Sequence, residues 1–512
     1  MLRQAIVVTF FLLLSSILGF VAQISYASYF GAGIDMDIYF LLLAIPSVII
    51  GIAPVIFTSV FLPYFSSVRG ADELMLNIRD IGRFVLFFSV VFSVLGCSSS
   101  LISIQSIIPN LPMELNSYAK TICCLLWGGA FCSLNSSYMA AILNFQRRFY
   151  LVAFTAVLPQ SFMILSVVLF HQIAGVKSIA IGYMLALFFQ WLLFASQTKW
   201  ISLSTWVINR EVKKYKPLLI RAFLVLVSLL PFTIIGPLCY SFAADLAAGS
   251  IAYLGYSASF AGFFSIATSM GIAVVSFPDV SSELISENIE AKRDILKKIE
   301  GSLKMVLYIS VVIAVFLIVL RVPLLTLLLQ RGEFGKESVE FMSRVFPFFI
   351  VMAVCVSGLN LLRNVLYAKK EYGKTAIIGG GIVVLFISLA LLLREYFSLV
   401  GLGIAYAVSF VIFFIAVIYF LSDIKFHFLG KRFYFDLMKY ILVSCISIGF
   451  IYSVLCCFFT GTGSKSQLFA LLSFAGIGYV TIVYFLSRYI FELDEGKLIE
   501  NSCRSLWRRK SK

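Results

Sequence analysis

Fourteen stretches of this chain, each 16–33 residues long, run without a single Asp, Glu, Lys or Arg. That pattern constrains the fold more than any motif, because crossing the hydrocarbon core of a bilayer takes a helix of about 20 apolar residues. The windows are 4–34, 38–68, 84–113, 121–146, 149–176, 178–198, 222–244, 246–278, 305–320, 345–362, 375–393, 396–422, 440–464 and 466–487. Of the 512 residues, 61% are hydrophobic and 13% charged, against roughly 45–50% and ~25% in soluble domains. A water-soluble core cannot hide that much apolar surface. A membrane β-barrel would alternate apolar and polar positions instead of running apolar throughout. The reading is an all-α polytopic membrane protein with fourteen transmembrane helices. The ninth window is short and reaches full length by running through Arg321 to Gln330, with Arg321 snorkelling to the interface. The first window follows Met1-Leu2-Arg3 and is too long for a signal peptide.

Orientation follows from the basic residues. With the N-terminus inside, the outer loops hold Lys120, Lys177, Arg321, Arg331, Lys336, Arg344, Arg394 and Lys465, which leaves 32 of the 40 Lys and Arg on the inner side. Such a bias places both termini in the cytoplasm. It also explains the net charge of +15 without nucleic acid as a partner. The outer loops are short. The inner segment 283–304 reads as an amphipathic surface helix, and the tail ends in Arg508-Arg509-Lys510-Ser511-Lys512. Basic clusters of this kind attract anionic lipid headgroups. The ten cysteines include no C-x-x-C pair and read as small buried apolar residues.

The chain contains a repeat. Pro63-Tyr64-Phe65-Ser66-Ser67 closes helix 2, and Pro278-Asp279-Val280-Ser281-Ser282 closes helix 8. Arg147-Arg148-Phe149-Tyr150 opens helix 5, and Lys369-Lys370-Glu371-Tyr372 opens helix 11. The offsets are similar and the unit is six helices. An even unit enters twice from the same side, giving two six-helix lobes related by a parallel pseudo-twofold axis, as in transporters with a central cleft. The expected organisation is 1–200 for helices 1–6, 201–425 for helices 7–12, 426–490 for two extra C-terminal helices and 491–512 for a basic cytoplasmic tail.

Several motifs then become specific. Leu18-Gly19-Phe20 precedes Phe30-Gly31-Ala32-Gly33; Asp37 and Pro46 follow; Gly249-Ser250, Tyr256 and Pro278 mark helix 8. Gln330-Arg331-Gly332-Glu333-Phe334, Tyr367-Ala368, Lys374-Thr375 and Gly401-Leu402-Gly403-Ile404-Ala405 extend the pattern. On these residues the chain resembles the MurJ/MviN family, the lipid II flippases of the MOP exporter superfamily. The resemblance implies a V-shaped, two-lobed protein that works by alternating access in the bacterial inner membrane. It implies transfer of an undecaprenyl-pyrophosphate-linked saccharide for peptidoglycan or another envelope polysaccharide, with the lipid tail in a groove near helices 13 and 14. The chain departs from the family where the cavity arginines stand: Ser16 and Ala22 in helix 1, with Gln23 at the following acid, Ile50 in helix 2 and Ser259 in helix 8. Arginine suits a diphosphate because its planar fork bonds two oxygens and keeps its charge. Their loss favours a lipid-linked saccharide other than lipid II, such as an exopolysaccharide or O-antigen unit.

Candidate substrate-binding residues are few. Asp37 serves either as a cavity or coupling group or as a helix-end carboxylate with its own partner. Arg221 and Arg363 lie near the inner ends of helices 7 and 10, where they either meet a diphosphate or snorkel. Arg147 and Arg148 gather anionic headgroups at the inner mouth or simply carry inner-loop charge. Gln23, Asn144, Ser259 and Asn360 are polar positions in apolar helices, suited to sugar hydroxyls or to bridging helices. Pro54, Pro159, Pro231 and Pro237 interrupt helices, and Gly379-Gly380-Gly381 permits a bend or close packing. Two histidines and no Walker A motif leave no cofactor, no metal and no ATPase chemistry to expect. The sodium-binding carboxylate that some family members carry on helix 7 has no counterpart in 222–244. A drug or cation antiporter of the MATE type is the alternative, and it needs a deep acidic residue for which Asp37 is the one candidate. A membrane enzyme would need a His, paired carboxylates or a sizeable outer loop for acid–base work, and here the outer loops are short and His is nearly absent. Envelope-polysaccharide synthesis enzymes are the expected protein partners.

Overall fold

The computed structural model describes residues 2–68, 70–107, 113–198, 212–283, 289–368, 372–422, 431–458, 465–491 and 493–495. These residues are helical almost throughout, with no strand among them. Twelve helical spans in the described residues are long and apolar enough to cross a membrane.

The helices follow the charge-free windows closely. They are α1 (Leu2–Phe30), α2 (Ile34–Ile56), α3 (Leu62–Ser67), α4 (Ala71–Ile107), α5 (Met113–Phe145), α6 (Phe149–Thr155), α7 (Leu158–Ala174) and α8 (Lys177–Thr198). Then come α9 (Val212–Ala243), α10 (Ser250–Glu283), α11 (Ile289–Val319), α12 (Arg321–Leu329), α13 (Lys336–Ala368), α14 (Tyr372–Ser422), α15 (Lys431–Phe458) and α16 (Lys465–Phe485). Between α2 and α3, residues Phe57–Phe61 form a π-helical turn. It sits just past Pro54, whose carbonyl accepts the Thr58 hydroxyl at 2.7 Å. That carbonyl also accepts the Phe57 N–H, so the Thr58 hydroxyl is a second donor to it at the entry to the turn.

Two differences from the sequence reading have physical reasons. The ninth span does not continue through Arg321. Leu320 leaves helical geometry (φ −92, ψ 20) and α12 is a separate nine-residue helix. The length comes from the other end, where α11 begins at Ile289. The expected surface helix 283–304 is therefore largely the first part of α11, while 284–288 lie outside the described residues. The windows 375–393 and 396–422 are two helices, as expected, run together as α14 and parted at Ser398 (φ 48, ψ −125), not at the glycines. Of those glycines, Gly379 serves close packing, since a Cβ there would stand 2.7 Å from Pro231 on α9, whereas Gly380 and Gly381 face open space. The window 121–146 corresponds to α5, which is not among the twelve apolar spans. It is more polar than the others, with Ser133, Asn135, Ser136 and Ser137 all buried.

The residues group into two compact units: Met1–Ser259 with Arg331–Gly335 and Tyr372–Leu402, and Phe260–Gln330 with Lys336–Glu371 and Gly403–Lys512. Within the first unit α5 is the central post, packed on α2, α4 and α8. Small residues let helices approach. The Trp127 ring lies directly over Gly96, and a Cβ on Gly182 would stand 2.7 Å from the Phe162 carbonyl oxygen. Buried polar atoms tie the same helices: Asn135 Nδ2 donates to Ser89 Oγ at 2.8 Å, and Tyr138 Oη to the Ile78 carbonyl at 2.6 Å. In lipid, close van der Waals contact and interhelical hydrogen bonds replace the hydrophobic effect as the glue. Within the second unit, α11, α15 and α16 enclose Tyr308, Tyr440 and Tyr479. Tyr479 Oη donates to the Val312 carbonyl at 2.8 Å, and Lys304 on α11 pairs with Asp436 on α15 at 3.0 Å.

Candidate functional site

The densest polar construction in the first unit gathers where α1 ends and α2 and α10 begin. Gly31 terminates α1 in the left-handed region (φ 63), its N–H bonded to the Ala27 carbonyl at 2.9 Å. Gly33 then opens α2 in extended geometry, with Asp35 and Asp37 in the first turn. Gly249 (φ 89) opens α10, and Gly332 (φ 52) turns the connection that follows α12. Left-handed backbone explains the glycines at these three places. The space around them requires glycine independently. A Cβ on Gly31 would stand 2.8 Å from the Glu333 carbonyl oxygen, one on Gly249 2.5 Å from that of Ala32, and one on Gly332 would overlap that of Ser28. The Glu333 N–H donates to the Ser28 carbonyl at 3.0 Å. Three chain segments thus meet backbone to backbone.

Asp37 sits inside this knot, 8% exposed. Its Oδ2 accepts the Gly249 N–H at 2.6 Å and its Oδ1 the Ala252 N–H at 2.7 Å. The donors are the residue just before α10 and one in its first turn, where unpaired N–H groups and the helix dipole favour an anion. Charge-assisted bonds of this length are the strong kind. One turn further on, Tyr256 Oη donates to the Gly31 carbonyl at 2.8 Å, and the fully buried Phe334 packs edge-on against the Tyr256 ring. The motif Gln330-Arg331-Gly332-Glu333-Phe334 is therefore a structural clasp, in which Gly332 and Glu333 supply backbone and Phe334 the plug.

A second polar cluster joins the start of α4 to the start of α9. Lys214 Nζ donates to Asn77 Oδ1 at 3.1 Å and pairs with Glu73 at 3.2 Å. Tyr215 Oη also donates to Asn77 Oδ1, at 3.0 Å, and Asn77 is 1% exposed. Sequence reasoning singled out Asp37, as a helix-end carboxylate with its own partner among the alternatives, and the motifs around it, but not that they meet; it missed the second cluster. The first left a trace in the clasp motif. The second left none, because a Lys and an Asn near helix starts are indistinguishable from ordinary loop polarity.

The other candidate residues are dispersed. Asn144, Arg147 and Arg148 share the turn that ends α5. The Asn144 carbonyl accepts the Arg147 N–H at 3.0 Å, Arg147 is exposed with φ 60, and Arg148 donates to Gln197 Oε1 at 3.0 Å. Arg221 is exposed on α9. Gln23 is half-buried on α1, its Oε1 enclosed and without a hydrogen-bond partner. Ser259 spends its hydroxyl on the Gly255 carbonyl at 2.8 Å. Asn360 and Arg363, half-buried on α13, belong to the second unit. At the other positions where the family carries arginine, Ser16 donates to the Leu12 carbonyl at 3.0 Å and Ala22 is fully buried.

The second unit also holds a groove of ≈ 460 Å³ between α11, α13, α14 and α15, walled by Val311, Val315, Val354, Phe414, Ile418 and Leu437 among others. Its wall is hydrocarbon almost without interruption. Among the described residues no group of His, Cys, Asp and Glu is arranged to hold a metal ion.

Comparison with known proteins agrees with this architecture. The family model "Lipid II flippase MurJ" matches residues 26–474. A probable lipid II flippase MurJ of Aquifex aeolicus is 25% identical over 384 residues, covering 72% of each chain. One of Buchnera aphidicola is 26% identical over 393 residues, covering 72% of this chain and 74% of its own. Among solved structures, the fold is similar to a lipid II flippase MurJ in an inward closed conformation, with a TM-score of 0.77 at 17% identity over 95% of this chain and 100% of that one. It is also similar to an inward-facing multidrug resistance MATE family transporter of the MOP superfamily, with a TM-score of 0.57 at 16% identity over 82% and 99%. From its first clasp to its last spans, the chain belongs to the MurJ family of multi-pass membrane flippases for lipid-linked precursors.

Proposed function

We propose that this protein moves an undecaprenyl-pyrophosphate-linked saccharide, a lipid II-like, exopolysaccharide or O-antigen unit, from the inner to the outer leaflet by alternating access, and that it holds the diphosphate without the arginines of the family's cavity. The observation that carries the lipid half of this reading is the apolar groove on α11, α13, α14 and α15. A polyprenyl chain gains by burying hydrocarbon there and offers no polar group that the wall would leave unpaired. The headgroup half rests on the missing arginines. Ser16 and Ser259 spend their hydroxyls on their own helices, Ala22 is fully packed and Ile50 is a half-buried hydrocarbon, so at these positions no planar fork awaits the diphosphate. The cations that remain for it are Arg147, Arg148, Arg221 and Arg363, on the side that the basic bias assigns to the cytoplasm. Anionic lipids gather there by the same charge, and enzymes of envelope-polysaccharide synthesis deliver the substrate to that face.

The antiporter alternative asks for an acid free to exchange protons or sodium against a cationic drug. Asp37 is occupied by two backbone N–H groups, which weighs against it.

Tail length provides the test. In proteoliposomes, Ile415→Trp, at an exposed position on the groove wall, is expected to slow transfer of an undecaprenyl-linked saccharide several-fold. An analogue with a short prenyl chain should be transferred at the wild-type rate. Equal slowing of both, or of neither, would remove the groove from the mechanism.

A further inference from the structure

Cys132, Cys239 and Cys355 are the buried apolar residues that the sequence suggests. Cys97, Cys123 and Cys124 instead gather where α4 packs on α5. Cys97 is half-buried, Cys123 is buried and Cys124 beside it is exposed. The Cys97 and Cys124 sulfurs stand 3.7 Å apart, and Cys97 packs on the apolar cluster that holds Cys123 and Trp127. The register of the two helices fixes this meeting. The Trp127 ring fills the notch that Gly96 leaves, and its Nε1 donates to Ser100 Oγ at 3.1 Å. Two turns further along α5, Asn135 reaches Ser89. Ties at Ser89, Gly96 and Ser100 bracket Cys97 along α4, so a slip of either helix would carry Trp127 out of its notch before it parted the thiols.

We infer that Cys97 and Cys124 form a redox site, a thiol pair that closes to a disulfide staple between α4 and α5 when a lipid-soluble two-electron oxidant of the quinone class reaches Cys124. A disulfide is about 2.05 Å long, so closure asks each sulfur to travel under about 1 Å. Two thiols held in contact react as one unimolecular system. Two S–H bonds break and one S–S bond forms; the two electrons and two protons pass to the quinone, which leaves as quinol. A dithiol reverses the step by thiol–disulfide exchange. The class of oxidant follows from position. Cys124 lies one turn beyond Lys120, about 6 Å along the helix, and so just inside the hydrocarbon boundary that the lysine marks. Leu95 and Ile102, on either side of Cys97 along α4, are 63% and 80% exposed, and large apolar side chains exposed at this level mean that the medium is lipid. The basic bias assigns this boundary to the outer side of the membrane, where disulfides persist.

Peptide mass mapping reads the bridge directly. The full chain in nanodiscs is reduced, freed of reductant and exposed to decylubiquinone, and the remaining thiols are alkylated before digestion. A Cys97–Cys124 peptide pair is expected as the main bridge, formed roughly tenfold faster than with oxidised glutathione at the same concentration, because access sets the rate. Cys97→Ala and Cys124→Ala should each abolish it, whereas Cys123→Ala and Cys445→Ala leave its rate unchanged. The bridged protein should unfold at a midpoint several degrees above the reduced form, since the staple closes a loop across α4 and α5, and that shift should vanish in Cys124→Ala. Decylubiquinone that leaves both thiols free for alkylation would overturn the site, as would a bridge from Cys97 to Cys123. A bridge made faster by oxidised glutathione would overturn the lipid-soluble oxidant, and bridging without a change in midpoint would overturn the staple. No lipid-linked saccharide enters the measurement, so its outcome is independent of the proposed transport.

Discussion

At the scale of single residues, the clasp around Asp37 makes a sharp distinction between glycines that look alike in the sequence. Gly33 has an extended backbone (φ −120, ψ −176) and open space where a Cβ would sit. Gly332, in the motif after α12, is left-handed, and a Cβ there would overlap the Ser28 carbonyl oxygen. Left-handed backbone costs a non-glycine residue roughly 1–2 kcal/mol, and the overlap adds displacement of α1, whose carbonyl also accepts the Glu333 N–H. Gly332→Ala is therefore expected to lower the thermal unfolding midpoint of the purified protein by several degrees, while Gly33→Ala leaves it nearly unchanged. Equal midpoints for the two variants would show that the clasp does not hold the backbone as described. The motif was legible in the sequence as a family resemblance, but its physical meaning was not. A left-handed glycine pressed on another segment's carbonyl has the same letter as a glycine in open lipid, and Asp37's partners are backbone N–H groups that no side-chain pattern records.

Between elements, the charge-free windows located the helices because hydrocarbon imposes the same rule on every span. They marked the two helices of α14, whose windows part at Arg394-Glu395 just before the break at Ser398, but not the separate α12, which starts at the Arg321 that the ninth span was expected to run through. The triple glycine shows the same limit. Gly379 and Gly380 are neighbours in one helix, yet only Gly379 meets another helix, through Pro231 of α9. Gly380→Ala is expected to stabilise by up to about 1 kcal/mol, the helix-propensity gap between the two residues. Gly379→Ala is expected to destabilise by about 1–3 kcal/mol, since a methyl 2.7 Å from a proline ring is overpacking. Opposite shifts in unfolding midpoint check this pair. A stabilising Gly379→Ala would mean that α9 and α14 are not in contact along this face.

For the whole molecule, the open question is which headgroup the transport path accepts, and the vacated arginine positions bear on it unequally. At Ala22 the surroundings have closed in, leaving the side chain fully buried. An arginine placed there would bury an unpaired charge at a cost of several kcal/mol. Ser259 is half-buried, and its hydroxyl bonds only within its own helix, so a longer side chain can leave along the exposed side. The two sites therefore separate loss of charge from loss of space. Ala22→Arg is expected to fold poorly, with a lowered unfolding midpoint. Ser259→Arg is expected to keep the wild-type midpoint and to raise transfer of lipid II and of an O-antigen-type unit on the same undecaprenyl diphosphate several-fold together. Side-by-side translocation of the two lipids in proteoliposomes measures both rates and their ratio. Both lipids carry the same diphosphate, so an added arginine that merely strengthened phosphate binding would raise both together. A change in their ratio requires that the position also meets the sugar. Wild-type transfer of lipid II at the rate of the O-antigen-type unit, with no response to Ser259→Arg, would mean that the diphosphate is compensated elsewhere along the path and that the missing arginines say nothing about the substrate.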